Sequence, residues 1–296
     1  MTDHRRARAT LVGAGALLLW ACLAVFTTAT GAVPPFLLTA LSFGVAFLMA
    51  LTKWLVRGEA IGRHLRQPWP VWAVGLGGLF GYHALYFLAI KTAPPVEASL
   101  ICYLWPLLIV LFSALLAGET LAWFHLVGVG AGLAGTVLIV GAKGVAPSTD
   151  YLVGYAAALG CAIVWSLYSV LSRRVARDVP TDAVGGFCGA TALLALICHL
   201  AFETTVWPAS AGEWLAVLAL GLGPVGAAFF LWDHGVKQGD IKTLGVAAYA
   251  TPLLSTLILL ATGQGSPSWS LALAAALIVG GAVLGSGDLW RRSATG

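Results

Sequence analysis

Charge is what this sequence has least of: 9% of its 296 residues are Asp, Glu, Lys or Arg. A water-soluble domain carries about a quarter, so this chain cannot build a hydrated surface of ordinary size. The formal net charge of +4 does not point to nucleic acid either. The 16 Lys and Arg stand in short clusters between apolar runs and make no basic face. Cysteine is also sparse. Cys22, Cys102, Cys161, Cys188 and Cys198 all lie inside apolar stretches, none in a CxxC pair or at metal-ligand spacing from a histidine. They read as small buried hydrophobes, and neither a metal nor a cofactor is expected. No GxxxxGK[ST] loop is present, which speaks against direct use of ATP. HExxH and GxSxG are absent too, so an enzyme embedded in a membrane finds no support.

What the chain has in abundance is apolar sequence, 59% of residues with a mean hydropathy of +0.92. A helix needs about 20 mostly apolar residues to cross a bilayer. Runs of that length fall at 10–29, 34–56, 70–91, 95–117, 122–142, 151–172, 181–202, 213–236, 241–262 and 268–288. Pro-rich breaks punctuate them at Pro34-Pro35, Pro68, Pro94-Pro95, Pro180 and Pro267. The first run follows His4, Arg5, Arg6 and Arg8, as in a signal peptide, but is too long for one and reads as a retained helix. The expected fold is an all-α integral membrane protein of ten transmembrane helices.

The basic residues test that count. With the N-terminus in the cytoplasm, the cytoplasmic segments hold Arg5, Arg6 and Arg8, then Lys53, Arg57, Arg63 and Arg66. Arg173, Arg174 and Arg177 follow, then Lys237 and Lys242, then Arg291 and Arg292. Only Lys91 and Lys143 fall elsewhere. Both termini are expected to be cytoplasmic.

The chain also repeats itself. The shift that sets Lys91 on Lys237 sets Tyr103 on Tyr249, Pro106 on Pro252, Trp123 on Trp269 and Pro34 on Pro180. One residue less sets Trp20 on Trp165. Leu and Gly matches are cheap in an apolar alphabet, whereas Lys, Tyr, Pro and Trp matches are not. Two repeats are expected, residues 1–145 and 146–296, of five helices each. An odd number of helices per copy puts the second copy into the membrane upside down, the inverted repeat of secondary transporters.

Tyr103-x-x-Pro106-Leu107-Leu108 and Tyr249-x-x-Pro252-Leu253-Leu254, in two five-helix halves, resemble the EamA-type members of the drug/metabolite transporter superfamily. Gly118-Glu119 is similar to that family's usual close of this helix; the second copy departs from it with Gly263-Gln264. Within the superfamily, Tyr82-His83-Ala84-Leu85-Tyr86-Phe87 and Tyr103-Leu104-Trp105-Pro106 look most like the YddG-type aromatic amino acid exporters. The resemblance implies a non-ATP secondary transporter in a bacterial inner membrane. Its small-molecule substrate would be an amino acid, aromatic by preference, exported by alternating access with protons as a candidate coupling ion. Other amino acids, nucleobases or cationic drugs are alternatives, as is a channel.

Several side chains are candidates for that work. Trp20, Trp105, Trp165 and Trp232 lie deep in their spans, where an indole N–H finds no partner in hydrocarbon. Trp54, Trp69, Trp72, Trp123, Trp207, Trp214, Trp269 and Trp290 lie near span ends and read as interfacial anchors. Tyr82, His83 and Tyr86 share two helical turns, and their polar tips must be satisfied internally. The candidate substrate-binding set is Tyr82, His83, Tyr86, Tyr103, Trp105, Trp165, Tyr168 and Tyr249. Pro106 and Pro252, inside spans, are candidate hinges. No Asp or Glu has a clear midplane position, and Asp233, beside His234, is expected to reach toward the interface. Gly77/Gly81, Gly128/Gly132 and Gly281/Gly285 have GxxxG spacing and are expected at close helix contacts.

Overall fold

A computed structural model describes residues 3–118, 120–141, 148–261 and 268–285. Among them every regular element is helical. In order the helices are α1 (Asp3–Ala21), α2 (Leu23–Thr28), α3 (Pro35–Val56), α4 (Ile61–Leu65), α5 (Trp69–Thr92), α6 (Pro95–Cys102), α7 (Trp105–Ala117) and α8 (Trp123–Gly141). The rest are α9 (Leu152–Val175), α10 (Val184–Phe202), α11 (Ala211–Leu222), α12 (Ala228–Gln238), α13 (Ile241–Ala247), α14 (Ala250–Ala261) and α15 (Trp269–Gly285). Among the described residues seven helical segments are long and apolar enough to cross a membrane, and α8 and α15 are shorter apolar helices. Residues Glu119, Lys143, Gly263, Gln264, Pro267, Trp290, Arg291 and Arg292, invoked above, lie outside the described residues.

Where the sequence predicts unbroken spans, the structure interrupts several, and proline supplies the reason. Pro106 lacks an N–H and its ring would strike the carbonyl four residues back. That residue is Cys102, where α6 ends before a turn at Tyr103 and Leu104. Pro252 repeats the effect: four residues back is Ala248, and α13 and α14 part at Ala248 and Tyr249. Pro224 is absorbed differently, by a π turn over Gly223–Ala227 between α11 and α12. Gly226 fits there because a Cβ would stand 2.2 Å from the Gly221 carbonyl oxygen.

The helices pack in antiparallel pairs. Helix α3 lies on α10, pinned at both ends. The Glu203 carboxylate caps the start of α3, accepting from the amides of Phe36 at 2.9 Å and Leu37 at 3.2 Å. At the other end Lys53 pairs with Asp182. Helix α8 crosses α15 through glycines: a Cβ on Gly128 would be 2.6 Å from the Gly281 oxygen, and one on Gly135 2.8 Å from the Ala274 oxygen. Helix α1 meets α12 where the two Cα atoms of Gly13 and Gly235 face each other. Helix α5 lies on α9, with Gly78 against the Tyr168 ring and Gly154 against Ala93. The expected contacts at Gly128 and Gly281 are therefore present within one chain. On α5 the expectation fell on the wrong pair: Gly77 faces open space, and the tight positions are Gly75 and Gly78. A helix apolar on every side gives no pattern from which to read its packed face.

Two further expectations are corrected. Trp54 is no interfacial anchor; it is fully buried, with its ring stacked 4.6 Å from that of His64. Among the others, Trp69, Trp123, Trp207, Trp214 and Trp269 are exposed, as anchors should be. Asp233 does not reach outward: its side chain is 2% exposed and pairs with Lys237 at 2.9 Å. Local packing decided this, because Lys237 lies one turn along α12 and Thr181 supplies a hydroxyl donor at 2.8 Å.

Candidate functional site

A cavity of about 480 Å³ opens at the centre of the bundle, within the usual range for small-molecule sites. Its wall comes from both halves of the chain: Trp20, Tyr82, His83, Tyr86, Tyr103 and Trp105 on one side, Trp165, Pro224, Phe229 and Thr251 on the other. It runs toward Thr27, Thr28, Leu38 and Ser99, at the end of the bundle opposite Arg6 and Lys237. No Asp, Glu, Lys or Arg is among the lining residues.

The local folding of each helix sets this wall. The break before Pro106 turns Tyr103 and Trp105 inward at the start of α7. The π turn at Pro224 exposes its carbonyl, which accepts a hydrogen bond from Trp20 Nε1–H at 3.0 Å. Tyr82 and Tyr86, one turn apart on α5, stack with ring centroids 6.1 Å apart. His83 sits edge-on to Phe43 at 5.0 Å, with Nδ1 on the Leu79 carbonyl at 2.7 Å.

The base of the cavity is a cluster of indoles. Trp165 lies 5.4 Å from Trp20, 6.4 Å from Trp105 and 6.3 Å from Trp232 by ring centroids. Phe229 and Tyr82 complete the surround at 5.7 and 5.5 Å. Beyond this base, toward the N-terminal end of α1, the protein is closed by polar contacts. Asp233 holds Lys237, whose ammonium also donates to the Val179 carbonyl at 3.2 Å. Arg6 reaches Asp240 at 2.8 Å. Asp240 caps α13 through the amides of Lys242 and Thr243. Arg173 donates to the Gly239 carbonyl at 2.8 Å, and Lys242 to that of Thr120 at 2.9 Å.

Six of the eight side chains singled out from the sequence therefore meet at one cavity: Tyr82, His83, Tyr86, Tyr103, Trp105 and Trp165. The other two are packed elsewhere. Tyr168 lies behind Trp165, its ring against Gly78. Tyr249 is fully buried with Val110, Val129 and Ile278, its ring against Gly132. The sequence marks Trp20 as deep without assigning it to the site, although it assigns Trp165, which the repeat sets on Trp20; that match is the available signal. Phe229 and the Pro224 carbonyl had no signal, since a phenylalanine in a span is ordinary and a π turn is not written in the sequence.

The sequence pattern of the EamA-like transporter family matches the chain twice, over residues 7–141 and 152–286. The chain is similar to the aromatic amino acid exporter YddG of Ancylobacter novellus, at 57% identity over 94% of this chain and 97% of that protein. It also resembles a probable terminal-alkyne amino-acid exporter of Streptantibioticus cattleyicolor, 24% identical over 81% of this chain and 83% of the other. A crystal structure of a protein 56% identical to it superposes with a TM-score of 0.90, covering 95% of this chain and 99% of that one. Two family matches that together span nearly the whole helical bundle, around a closed-ended central cavity, leave one assignment: this chain is a multi-span membrane protein of the EamA-like transporter family.

Proposed function

We propose that this protein is a secondary carrier that exports aromatic amino acids by alternating access across a bacterial inner membrane, with both termini in the cytoplasm. The observation that carries this reading is the cavity: aromatic rings and neutral polar groups from both halves, open at one end and sealed at the other. Such a wall stacks an aromatic side chain and offers few partners to a small polar one. The relative at 57% identity that bears the name of an aromatic amino acid exporter supports the substrate class. A cationic drug is the weaker reading, because no carboxylate lines the cavity to meet its charge.

Counting α1–α2, α6–α7, α11–α12 and α13–α14 as single interrupted spans, and leaving out the five-residue connecting helix α4, gives ten. The inverted five-plus-five repeat, residues 1–145 and 146–296, is supported by the two family matches and by the antiparallel α3–α10 and α8–α15 pairs. In this reading the observed state faces away from the cytoplasm. Opening the other side separates α1 from α12 at Gly13 and Gly235, and releases Lys237 and Arg173 from their carbonyls.

Pro106 and Pro252 then act as hinges, because each removes one helical N–H donor and leaves a break with fewer hydrogen bonds to lose on bending. Replacing Pro106 with Ala should let α6 and α7 grow toward one helix and slow tryptophan transport several-fold. Equal transport, with equal cysteine accessibility from both sides, would dismiss the hinge.

Purified protein in liposomes should show saturable uptake of labelled tryptophan and phenylalanine and little of threonine. An imposed pH gradient that changes the rate identifies protons as the coupling ion; no change makes the carrier a facilitator. Threonine flux equal to that of tryptophan, or no flux above empty liposomes with folded protein, would overturn the substrate assignment.

A further inference from the structure

The polar groups that open into the central cavity differ in what they can do. Of the four clustered tryptophans, two are satisfied by the protein. Trp20 Nε1–H donates to the Pro224 carbonyl and Trp232 Nε1–H to Ser169 Oγ, each at 3.0 Å. Trp105 and Trp165 are 7% and 4% exposed. Their N–H groups have no acceptor among the described residues, yet neither is sealed off from the cavity. An indole N–H that opens into the cavity can only donate, and any ligand there must supply its acceptor.

His83 is the complement. Its Nδ1 is 2.7 Å from the Leu79 carbonyl oxygen, which can only accept, so Nδ1 carries the proton. Nε2 of the neutral ring is then an acceptor that meets no donor among the described residues and stays open to the cavity. Aromatic rings surround it: Phe43 at 5.0 Å, Tyr82 at 5.3 Å, Phe87 at 6.4 Å and Phe229 at 6.5 Å. One ring, Tyr82, separates it from Trp165, 5.5 Å further on.

We infer that these three side chains read the main chain of the transported amino acid. The Trp105 and Trp165 N–H groups donate to its carboxylate, and His83 Nε2 accepts from its ammonium. The inference rests on the carrier reading above and adds an orientation to it, carboxylate toward the indole base and ammonium toward α5. The hydroxyls of Tyr82, Tyr86 and Tyr103 can donate or accept, so they strengthen either contact without setting the direction. Because all these partners are neutral, the cavity selects a zwitterion over an amine or an acid. It also avoids the tight ion pairs that would hinder release.

The test replaces Trp165 in the full-length protein with 3-benzothienylalanine, which keeps the ring shape and exchanges the N–H for sulfur. Inhibition constants are then measured for tryptophan, tryptamine and indole-3-propionate. Tryptophan and indole-3-propionate should each weaken about tenfold or more, the usual worth of a hydrogen bond to a charged group, while tryptamine is unaffected. His83→Phe should give the mirror result: tryptophan and tryptamine weaken and indole-3-propionate does not. His83→Gln, which restores an acceptor, recovers part of the loss. If His83→Phe does not fold, the shape-preserving replacement at Trp165 decides alone. Equal weakening of all three ligands would reduce these residues to packing, and the reverse pattern would invert the orientation; either overturns the inference. Wild-type protein that does not carry tryptophan counts against the carrier reading itself, whereas wild-type transport with the wrong pattern counts only against this inference.

Discussion

Lys237→Met should lower the thermal unfolding midpoint of the detergent-purified protein by roughly 10 °C, because it strands a buried carboxylate. The Asp233 and Lys237 side chains are 2% and 3% exposed and lie one turn apart on α12. Removing one partner of such a pair costs about 3–5 kcal/mol, whereas replacing both by neutral groups of similar size is often nearly free. The double variant Asp233→Asn with Lys237→Met should therefore recover most of the loss, with Asn still able to accept from Thr181. The single variant should also loosen the sealed end of the cavity, since the Lys237 ammonium ties α12 to the Val179 carbonyl. A midpoint within about 2 °C of wild type, the range of an exposed ion pair, would mean that the pair is hydrated in the native protein and does not close this end of the cavity.

Trp165→Ala should lower kcat/KM for tryptophan by roughly 30- to 1,000-fold, the penalty of losing a central aromatic anchor. Its ring lies within 6.4 Å of Trp20, Tyr82, Trp105, Tyr168, Phe229 and Trp232, so its loss removes both a wall of the cavity and the keystone of its base. Trp165→Phe retains most of the packing area but loses the N–H, and should cost about tenfold, less than Ala. Size-exclusion and thermal unfolding of each variant separate loss of the cavity from loss of the fold. Folded Trp165→Ala protein transporting within threefold of wild type would remove this residue, and with it the proposed cavity, from the transport path.

Much of this was legible in the sequence because the bilayer allows few solutions. Backbone groups in hydrocarbon must bond within a helix, so runs of about 20 apolar residues locate the helices from α3 to α12 closely. Proline chemistry is equally local, and the breaks at Cys102 and Ala248 follow from Pro106 and Pro252 by covalent geometry alone. The repeat was legible because rare residue types recur at one shift, and it paired Trp20 with Trp165 in advance.

Direction around a helix axis was not legible. In soluble proteins polar residues mark the outer face; in a span both lipid and neighbouring helices accept leucine, and the contrast vanishes. Tyr82 and Tyr86 face the cavity while Tyr168 and Tyr249 face glycines on neighbouring helices, although all four are tyrosines inside apolar runs. Trp54 lies near a helix end exactly as an anchor would, yet His64 on the short helix α4 covers it.

The sequence by itself determined the membrane class, the helical content, the doubling of the chain and the positions where helices must break, because each follows from hydropathy or from covalent geometry within a few residues. Only the tertiary structure decided which aromatic rings meet, which indole N–H groups remain without an acceptor and which carboxylate is buried against a lysine. Those depend on helices distant in sequence and on the rotation of each about its own axis, for which a uniformly apolar span leaves no local record.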